Sequence, residues 1–316
     1  MPTAVVTGGA GFLGSHLCER LLERGFSVLC LDDLCTGSAG NLAGFDGDPR
    51  FRLVRHDVTE PLPVDGPVDL VAHLASPASP VDYRRLPIRT MRAGSLGTMH
   101  ALDLAERCGA RFLLASTSEV YGDPQVHPQP EHYRGNVDPV GPRAVYDEAK
   151  RYAEALATAY RDERGVRVRI ARIFNSYGPR MRSDDGRMVP EFAERALTGR
   201  PLEVAGTGAQ TRSLCFVDDT VRGLLALAGS DCAEPVNIGG SLELSVLEWA
   251  QRIRDLAGSR VPIRRTAAAP GDPGRRCPDL SRAREVLGWE PLVDVDDGLR
   301  RTLAWFSERI SALQRV

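Results

Sequence analysis

A tyrosine and a lysine four positions apart, Tyr146 and Lys150, carry the most distinctive chemistry in this sequence of 316 residues. Lys150 is the single lysine, and the other 39 of the 40 basic residues are arginine. An ammonium is a compact charge with a tunable pKa, whereas a guanidinium is a wide planar fork that stays protonated. We therefore interpret Lys150 as a residue kept for chemistry. The alternative is an ordinary solvated lysine on a helix face.

The spacing of this pair indicates what that chemistry is. Residues four apart lie on the same face of a helix, and we predict a helix over 144–164. Tyrosine, with an ordinary pKa of about 10, is a poor base at neutral pH unless a nearby cation stabilises the phenolate. Lys150 would supply that cation, so Tyr146 could take the proton of a hydroxyl whose carbon gives up a hydride.

The scaffold for this pair is predicted to be α/β. Short apolar runs alternate with amphipathic stretches in the first half of the chain, which indicates a parallel sheet covered by helices. The predicted strands are 3–7, 27–31, 51–55, 68–74, 110–116 and 166–172, and the predicted helices are 12–24, 88–107 and 144–164. Arginines alternate in strand 166–172, which predicts an edge or half-exposed position for that strand.

A smaller second lobe is predicted beyond this sheet. After residue 174 the spacing of elements becomes irregular and glycine and proline punctuate it more often. We therefore expect a nucleotide-binding domain over 1–174 and a C-terminal α/β substrate lobe over 175–316. Segments near 213–240 are expected to return to the first sheet.

Composition narrows the function classes. The formal net charge is −2, so bulk charge favours neither nucleic acid nor an anionic membrane as a partner. Seven scattered cysteines without a CxxC pair predict neither a disulfide framework nor a zinc site. The chain shows no leader-like segment and no stretch of about 18 apolar residues, so we expect a cytoplasmic protein without a metal.

A glycine-rich turn follows the first predicted strand. In Thr7-Gly8-Gly9-Ala10-Gly11-Phe12-Leu13-Gly14, glycines recur every third residue as a helix opens. This pattern predicts a Rossmann-type, doubly wound sheet with a dinucleotide at the turn. Asp32, at the end of the second strand, would bind the adenosine ribose and favour NAD over NADP; alternatively, it is a turn residue. The other cofactor candidates are Phe12, Leu13, Asp57, Val58, Leu74, Ala75 and Ser76, and ordinary strand-end roles remain open for Asp57 and Ser76.

Together with the Tyr146–Lys150 pair, this turn resembles that of extended short-chain dehydrogenase/reductases acting on nucleotide sugars. More narrowly, the chain resembles UDP-glucuronate decarboxylases. That narrower resemblance rests on His73-Leu-Ala-Ser-Pro-Ala-Ser-Pro80, Ser116-Thr-Ser-Glu-Val-Tyr-Gly-Asp-Pro124, His127-Pro-Gln-Pro130, Gly141-Pro-Arg143, Asn175-Ser-Tyr-Gly-Pro-Arg-Met181, Asp185-Gly-Arg187 and Gln210-Thr-Arg-Ser213.

The resemblance implies a reaction in three steps on UDP-glucuronate. Carbon 4 is oxidised, the resulting β-keto acid loses carbon dioxide, and the ketone is reduced again to give UDP-xylose. Tyr146 would act as the base and Lys150 would stabilise its phenolate. Thr117 would bind the same sugar hydroxyl, and it and Tyr146 would stabilise the enolate oxygen.

Ser118 distinguishes this reaction from a dehydration. Related 4,6-dehydratases carry an aspartate there that protonates a departing hydroxyl, and serine is too weak an acid for that task. Glu119 is a candidate acid/base or sugar-orienting residue, or simply a carboxylate paired with an arginine. The resemblance implies substrate contacts for Asn175, Arg187 and Arg212, and a place for Arg276 near Glu119 and the sugar carboxylate.

Several departures and alternatives remain open. Ala149 stands where the family usually has glycine, Phe216 where tyrosine is usual, and Arg134 where tryptophan is. Ala205 replaces an aromatic residue near the nucleotide base, which leaves uracil and thymine undecided. Alternative functions are a 4-epimerase, a 4,6-dehydratase, release of the UDP-4-keto-pentose, and an NAD-sensing binding module without catalysis.

A homodimer is the expected assembly. Helices 88–107 and 144–164 carry small or apolar residues, among them Ala149, Ala153, Leu156 and Ala157, beyond what one buried face needs. They would form a four-helix seam between two copies, as in related enzymes. The alternative is that these residues pack on the sheet of their own chain.

Overall fold

The computed structural model describes residues 1–268 and 271–313 and places a parallel seven-stranded sheet at the centre of the chain. Both faces of the sheet are covered, and the adjacent Val5 and Val6 of one inner strand are fully buried on opposite faces. In spatial order the strands are β11 (Val236–Ile238), β6 (Arg167–Ile173), β5 (Arg111–Thr117), β4 (Leu70–His73), β1 (Thr3–Thr7), β2 (Ser27–Asp32) and β3 (Phe51–Arg55).

Helices cover this sheet and build the rest of the molecule. They are α1 (Phe12–Glu23), α2 (Pro80–Arg85), α3 (Pro87–Arg92), α4 (Thr98–Cys108), α5 (Ala144–Arg164), α6 (Met188–Leu197), α7 (Val217–Gly229), α8 (Val246–Leu256), α9 (Ser281–Leu287) and α10 (Val295–Leu313). Gly165 ends α5 in the left-handed conformation, at φ 69°, which glycine adopts without steric cost. The predicted fold class is confirmed.

The predicted helix 88–107 is three elements in series. A π-helical segment, Ala93–Gly97, joins α3 directly to α4. Within it, Gly94 lies so close to α5 that a Cβ on it would be 2.7 Å from the Cβ of Ala149. The chain therefore accommodates alanine at 149 by having no side chain at the facing position.

The expectation of an edge position for strand 166–172 is wrong, because β11 pairs with β6 on its outer side and β6 lies inside the sheet. Arg167, at the start of β6, is exposed, whereas the later arginines have partners. Arg169 is buried and donates to the backbone oxygen of Ser230 at 2.7 Å, and the partly buried Arg172 binds Glu154. The strand that covers β6 comes from more than 60 residues later, which local alternation does not reveal.

Short sheets form beyond the main one. They are β7 (Ser176–Tyr177) with β10 (Cys215–Phe216), β8 (Leu202–Ala205) with β13 (Ile263–Thr266), and β12 (Glu243–Ser245), β9 (Thr211–Ser213) and β14 (Arg275–Arg276) together. α7 and β11 lie within the segment expected to return to the first sheet. The division of the chain at residue 174 stays a prediction, and its C-terminal part includes positions 269–270 and 314–316, which lie outside the described residues.

Candidate active site

A cavity of about 770 Å³ lies at the carboxyl ends of the sheet strands. This is where ligands bind in open parallel sheets, because successive strand ends open toward the same edge. The structure brings every predicted site residue to its wall. These are Gly8, Gly11, Phe12, Leu13, Gly14, Asp32, Asp57, Val58, Leu74, Ala75, Ser76, Thr117, Ser118, Glu119, Tyr146, Lys150, Asn175, Arg187, Arg212 and Arg276.

The glycine turn is shaped for close backbone approach. Gly8 has φ +71°, which disfavours a side chain, and its amide donates to the oxygen of Leu31 at 2.8 Å. A Cβ on Gly14 would lie 2.1 Å from the backbone oxygen of Gly8. The first turn of α1 can therefore pack against the end of β1, and its free amides face the cavity as an anion site.

Asp32 is oriented by the same turn. Its carboxylate accepts hydrogen bonds from the amides of Ala10, at 2.9 Å, and Leu34, at 2.8 Å. Burial raises the pKa of Asp32, and these two hydrogen bonds oppose the shift. A carboxylate held by two backbone amides next to a glycine turn is the arrangement expected of a residue that binds the ribose of a dinucleotide.

The tyrosine–lysine pair lies on the buried face of α5. Tyr146 is 7% exposed and Lys150 is 4% exposed, so the interpretation of Lys150 as an ordinary solvated lysine is wrong. Lys150 Nζ donates to the backbone oxygen of Ala115 at 2.7 Å and lies 5.9 Å from the Tyr146 ring centre. Burial lowers the pKa of Lys150 to about 8. The amine therefore stays mostly protonated at neutral pH and loses its proton just above it.

Tyr146 itself is held protonated in the free protein. Burial raises its pKa, while the charge of Arg187 and a hydrogen bond with Thr117 act in the opposite direction. Its ring stacks on that of Tyr83, with centres 5.4 Å apart and planes 8° from parallel. The phenol is thus fixed in place between an aromatic wall and the end of β5.

Glu119 occupies a buried cluster with two arginines. Its carboxylate pairs with Arg276 Nη1 at 2.8 Å and with Arg143 Nη2 at 2.5 Å. Burial alone would raise the pKa of Glu119, but the charges of Arg276 and Arg143 outweigh it and the pKa is lowered. Arg276 is 1% exposed and also donates to Ser118 Oγ at 3.2 Å. Ser118, Glu119 and Arg276 therefore form one hydrogen-bonded unit at the tip of β5.

The two other predicted substrate arginines have acidic partners. Arg212 Nη2 lies 2.7 Å from Asp272, and Arg187 Nη1 lies 3.2 Å from Asp185. Both side chains reach the cavity wall. Each partner acid limits the net positive charge that the arginine presents, and each fixes the direction of the guanidinium.

Sequence reasoning assigned no role to two residues that line the cavity, Arg143 and Tyr83, nor to two buried residues behind its wall, His73 and Asp147. His73 contacts Thr7 Oγ1 at 2.8 Å. Arg143 and His73 both lie within the motifs that carry the resemblance. Arg143 was not singled out because arginine is abundant, and His73 because it lies within a predicted strand. Burial first, and then the charge of Glu119, raise the pKa of Asp147 to about 7.

The described residues include neither a metal-binding cluster nor a membrane-spanning helix. Among residues 1–268 and 271–313, no group of three or more histidine, cysteine, aspartate or glutamate side chains could hold a metal ion. In the same part of the chain, no helix is long and apolar enough to cross a membrane.

The cavity extends from the glycine turn to the buried tyrosine–lysine pair. This arrangement is typical of an enzyme that transfers a hydride. The parallel sheet and the additional small sheets around its cavity place the chain in the extended short-chain dehydrogenase/reductase class.

More particularly, the chain belongs to the NAD dependent epimerase/dehydratase family, whose family model matches residues 4–239. It is 49% identical to UDP-glucuronic acid decarboxylase 1 of Danio rerio over 97% of this chain and 73% of that protein. It is 51% identical to UDP-glucuronic acid decarboxylase 6 of Arabidopsis thaliana over 93% of this chain and 86% of that one.

Solved structures agree with this placement. The dTDP-glucose 4,6-dehydratase of Streptomyces venezuelae, solved with NAD, is 32% identical with a TM-score of 0.89, over 98% of each chain. The UDP-glucuronic acid 4-epimerase of Bacillus cereus, solved with UDP-glucuronic acid and NAD, is 27% identical with a TM-score of 0.87. That match covers 97% of this chain and 99% of the epimerase.

Proposed function

We propose that this protein is a UDP-glucuronate decarboxylase that uses NAD as its coenzyme and forms UDP-xylose. The observation that carries the proposal is the buried unit of Ser118, Glu119 and Arg276 beside Tyr146, in a chain about half identical to decarboxylases of that name. Bound NAD supplies the chemistry that removes a hydride from carbon 4 and later returns it.

Tyr146 moves the proton of the sugar hydroxyl. Thr117 lies close enough to the phenol to lower its pKa, so its hydroxyl can bind the same sugar hydroxyl. The ammonium of Lys150 favours the phenolate, because an opposite charge at short range stabilises the ionised form. The raised pKa of Tyr146 in the free protein means that this cation and the bound ligands must lower it for catalysis.

The Glu119 cluster acts at the other end of the sugar. Arg276 is fixed by Ser118 and Glu119, and it offers a guanidinium beside a carboxylate of the substrate. The ionised Glu119 repels that carboxylate while Arg276 orients it, which favours its loss as neutral carbon dioxide. Ser118 has no acidic proton to give a departing hydroxyl, so dehydration is disfavoured.

Carboxyl-labelled UDP-glucuronate tests this proposal. We expect release of labelled carbon dioxide and a UDP-pentose product with NAD returned to its oxidised form. Retention of the label in a UDP-hexuronate epimer would overturn the decarboxylase proposal in favour of a 4-epimerase. A UDP-4-keto-pentose product would keep decarboxylation and remove the final reduction.

Other parts of the proposal concern the base, the assembly and the location. The structure places the small side chain of Ala205 on the cavity wall, so a thymine nucleotide is a second substrate to compare with the uracil one. We also propose a cytoplasmic homodimer. Ala149, Ala153 and Ala157 are buried within their own chain, so the proposed seam rests instead on the exposed Ile88 and Tyr152.

A further inference from the structure

Lys150 shares its surroundings with a second buried charge, Glu154, one helical turn further along α5. Glu154 accepts a hydrogen bond from Ser116 Oγ at 2.5 Å, and Lys150 donates to the neighbouring residue of β5, Ala115. Side chains at this spacing lie on the same helix face. The two residues therefore contact adjacent positions of one strand.

The contact between Tyr146 and Thr117 adds a third member to this series. Three consecutive residues at the end of β5, 115–117, are thus paired with three residues spaced by four along α5. The two hydrogen bonds in this series, from Lys150 to Ala115 at 2.7 Å and from Ser116 to Glu154 at 2.5 Å, oppose rotation or sliding of the helix against the strand. Glu154 is the member of the series that has no role in the proposed chemistry.

The charged and titratable groups around Lys150 single out Glu154. Its negative charge opposes the burial that lowers the pKa of Lys150. His73 faces Lys150 from β4, and burial and then the charge of Lys150 lower its pKa to about 3, so it is neutral. Tyr146 is neutral in the free protein because burial raises its pKa. Arg172, on β6, lies behind Glu154 as its ion-pair partner.

We propose that Glu154 is a positioning residue that holds α5 against the end of β5 and keeps Lys150 in its ammonium form beside Tyr146. The proposal rests on the proposed function for the role of Lys150. It differs from a purely structural ion pair because it predicts that the charge of Glu154 controls the protonation of Lys150.

Arg172 determines how this can be tested. It binds both carboxylate oxygens of Glu154, through Nε at 3.0 Å and Nη2 at 2.7 Å, and both side chains are largely buried. Replacing Glu154 alone would leave a buried guanidinium without its partner and destabilise the fold. The informative variant is therefore Glu154→Gln/Arg172→Gln. Arg172→Gln is the matched control: its carboxylate loses the ion pair but keeps the hydrogen bond from Ser116 Oγ and can accept another from the introduced amide, and urea unfolding must show that this variant is folded.

The single lysine makes a direct measurement possible. An untagged chain grown with lysine labelled by ¹³C at Cε gives one lysine signal, whose shift against pH reports Lys150 without any substrate. We expect the titration midpoint in Glu154→Gln/Arg172→Gln to lie about one pH unit below that in Arg172→Gln, the size of a short-range charge effect. Glu154→Asp/Arg172→Gln should restore the midpoint, and circular dichroism checks that each variant is folded.

Activity provides the second readout. Because the ammonium is the active form, the rate should fall as the pH rises through the Lys150 pKa, and this fall should move to lower pH in Glu154→Gln/Arg172→Gln. Equal lysine midpoints in the folded double variant and in Arg172→Gln would overturn the inference. A shifted midpoint in a protein that releases no carbon dioxide from UDP-glucuronate would instead remove the proposed function and leave the charge coupling standing.

Discussion

At the scale of single residues, the site depends on the difference between an ammonium and a guanidinium. Lys150 fits one backbone oxygen and one ring at the base of the cavity, and its pKa of about 8 lets it respond to neighbouring charges. A guanidinium is wider and stays ionised. Apart from the pairs of His16 and His127, the ion pairs among residues 1–268 and 271–313 use arginine, which agrees with a site at Lys150 that needs a compact, tunable cation.

Replacing this cation by arginine should separate charge from shape. We expect Lys150→Arg to remain folded and to lower kcat by about 10²- to 10⁴-fold, the range ascribed to a positioned acid or base. Labelled carbon dioxide release measures the rate, and circular dichroism checks the fold. The reverse change at the exposed Arg300, Arg300→Lys, should leave both unchanged. A rate within a few-fold of wild type would show that the reaction does not need a lysine at position 150.

The Glu119 cluster predicts a second residue effect, on stability as well as rate. Glu119→Gln leaves Arg143 and Arg276 buried without their shared carboxylate, which should cost about 3–5 kcal/mol in the free energy of unfolding. Glu119→Gln/Arg143→Met removes one unpaired guanidinium, so it should recover stability but not decarboxylation. Urea unfolding and turnover measure the two effects.

The pH dependence of this loss follows from the lowered pKa of Glu119. A carboxylate with a depressed folded-state pKa stabilises the fold at pH values above its unfolded pKa, and this is lost as the pH falls through the folded one. The difference in stability between wild type and Glu119→Gln should therefore be full at pH 7 and shrink in acid. A difference that grows in acid would contradict the assigned ion pairs.

At the scale of elements, the turn between β1 and α1 is the part of the site that the sequence determines most directly. The third glycine of its motif has a steric role that the structure makes quantitative. A methyl group on Gly14 would meet the backbone oxygen of Gly8 at 2.1 Å, where no flexible side chain can move away.

Gly14→Ala should therefore destabilise the protein by about 3 kcal/mol or more, at the upper end of overpacking costs. It should also abolish NAD retention, because α1 can no longer begin against β1. Absorbance of the purified protein and isothermal titration with NAD measure binding. Gly229→Ala, at the end of α7 with no atom near its added methyl group, is the matched control and should bind NAD normally.

The contrast between this turn and β6 shows what the sequence can predict. The turn, Asp32 and the Tyr146–Lys150 spacing are local patterns, and each implies its own geometry. The neighbour of β6 and the partner of Glu119 are not local: β11 consists of residues 236–238, and Arg276 follows Glu119 by more than 150 residues. The alternating arginines of β6 led to the wrong expectation of an edge strand. The sequence alone does not distinguish an arginine in an ion pair, such as Arg172 with Glu154, from an exposed one.

At the scale of the whole molecule, the cavity is lined by residues from the beginning of the chain and from its last third. The coenzyme turn comes from the first 14 residues, whereas Arg212 and Arg276 come from the strands β9 and β14, which pair with each other. The proposed coenzyme and substrate contacts thus come from segments that are far apart in the sequence.

The surface beside α3 and α5 carries the last whole-molecule prediction, the homodimer. Ile88, Met91 and Tyr152 are 73%, 39% and 50% exposed on neighbouring helices. A stable dimer would bury about 800 Å² on each partner. Carboxylates introduced at the centre of this surface would have to lose their hydration water on association, which disfavours the dimer. We expect Ile88→Asp/Tyr152→Asp to convert the dimer to a monomer in sedimentation velocity, with the fold retained.

Leu292→Asp, which changes a 70%-exposed apolar residue elsewhere, is the control and should stay dimeric. A wild-type monomer at micromolar concentration, or a double variant that still sediments as a dimer, would rule out this seam.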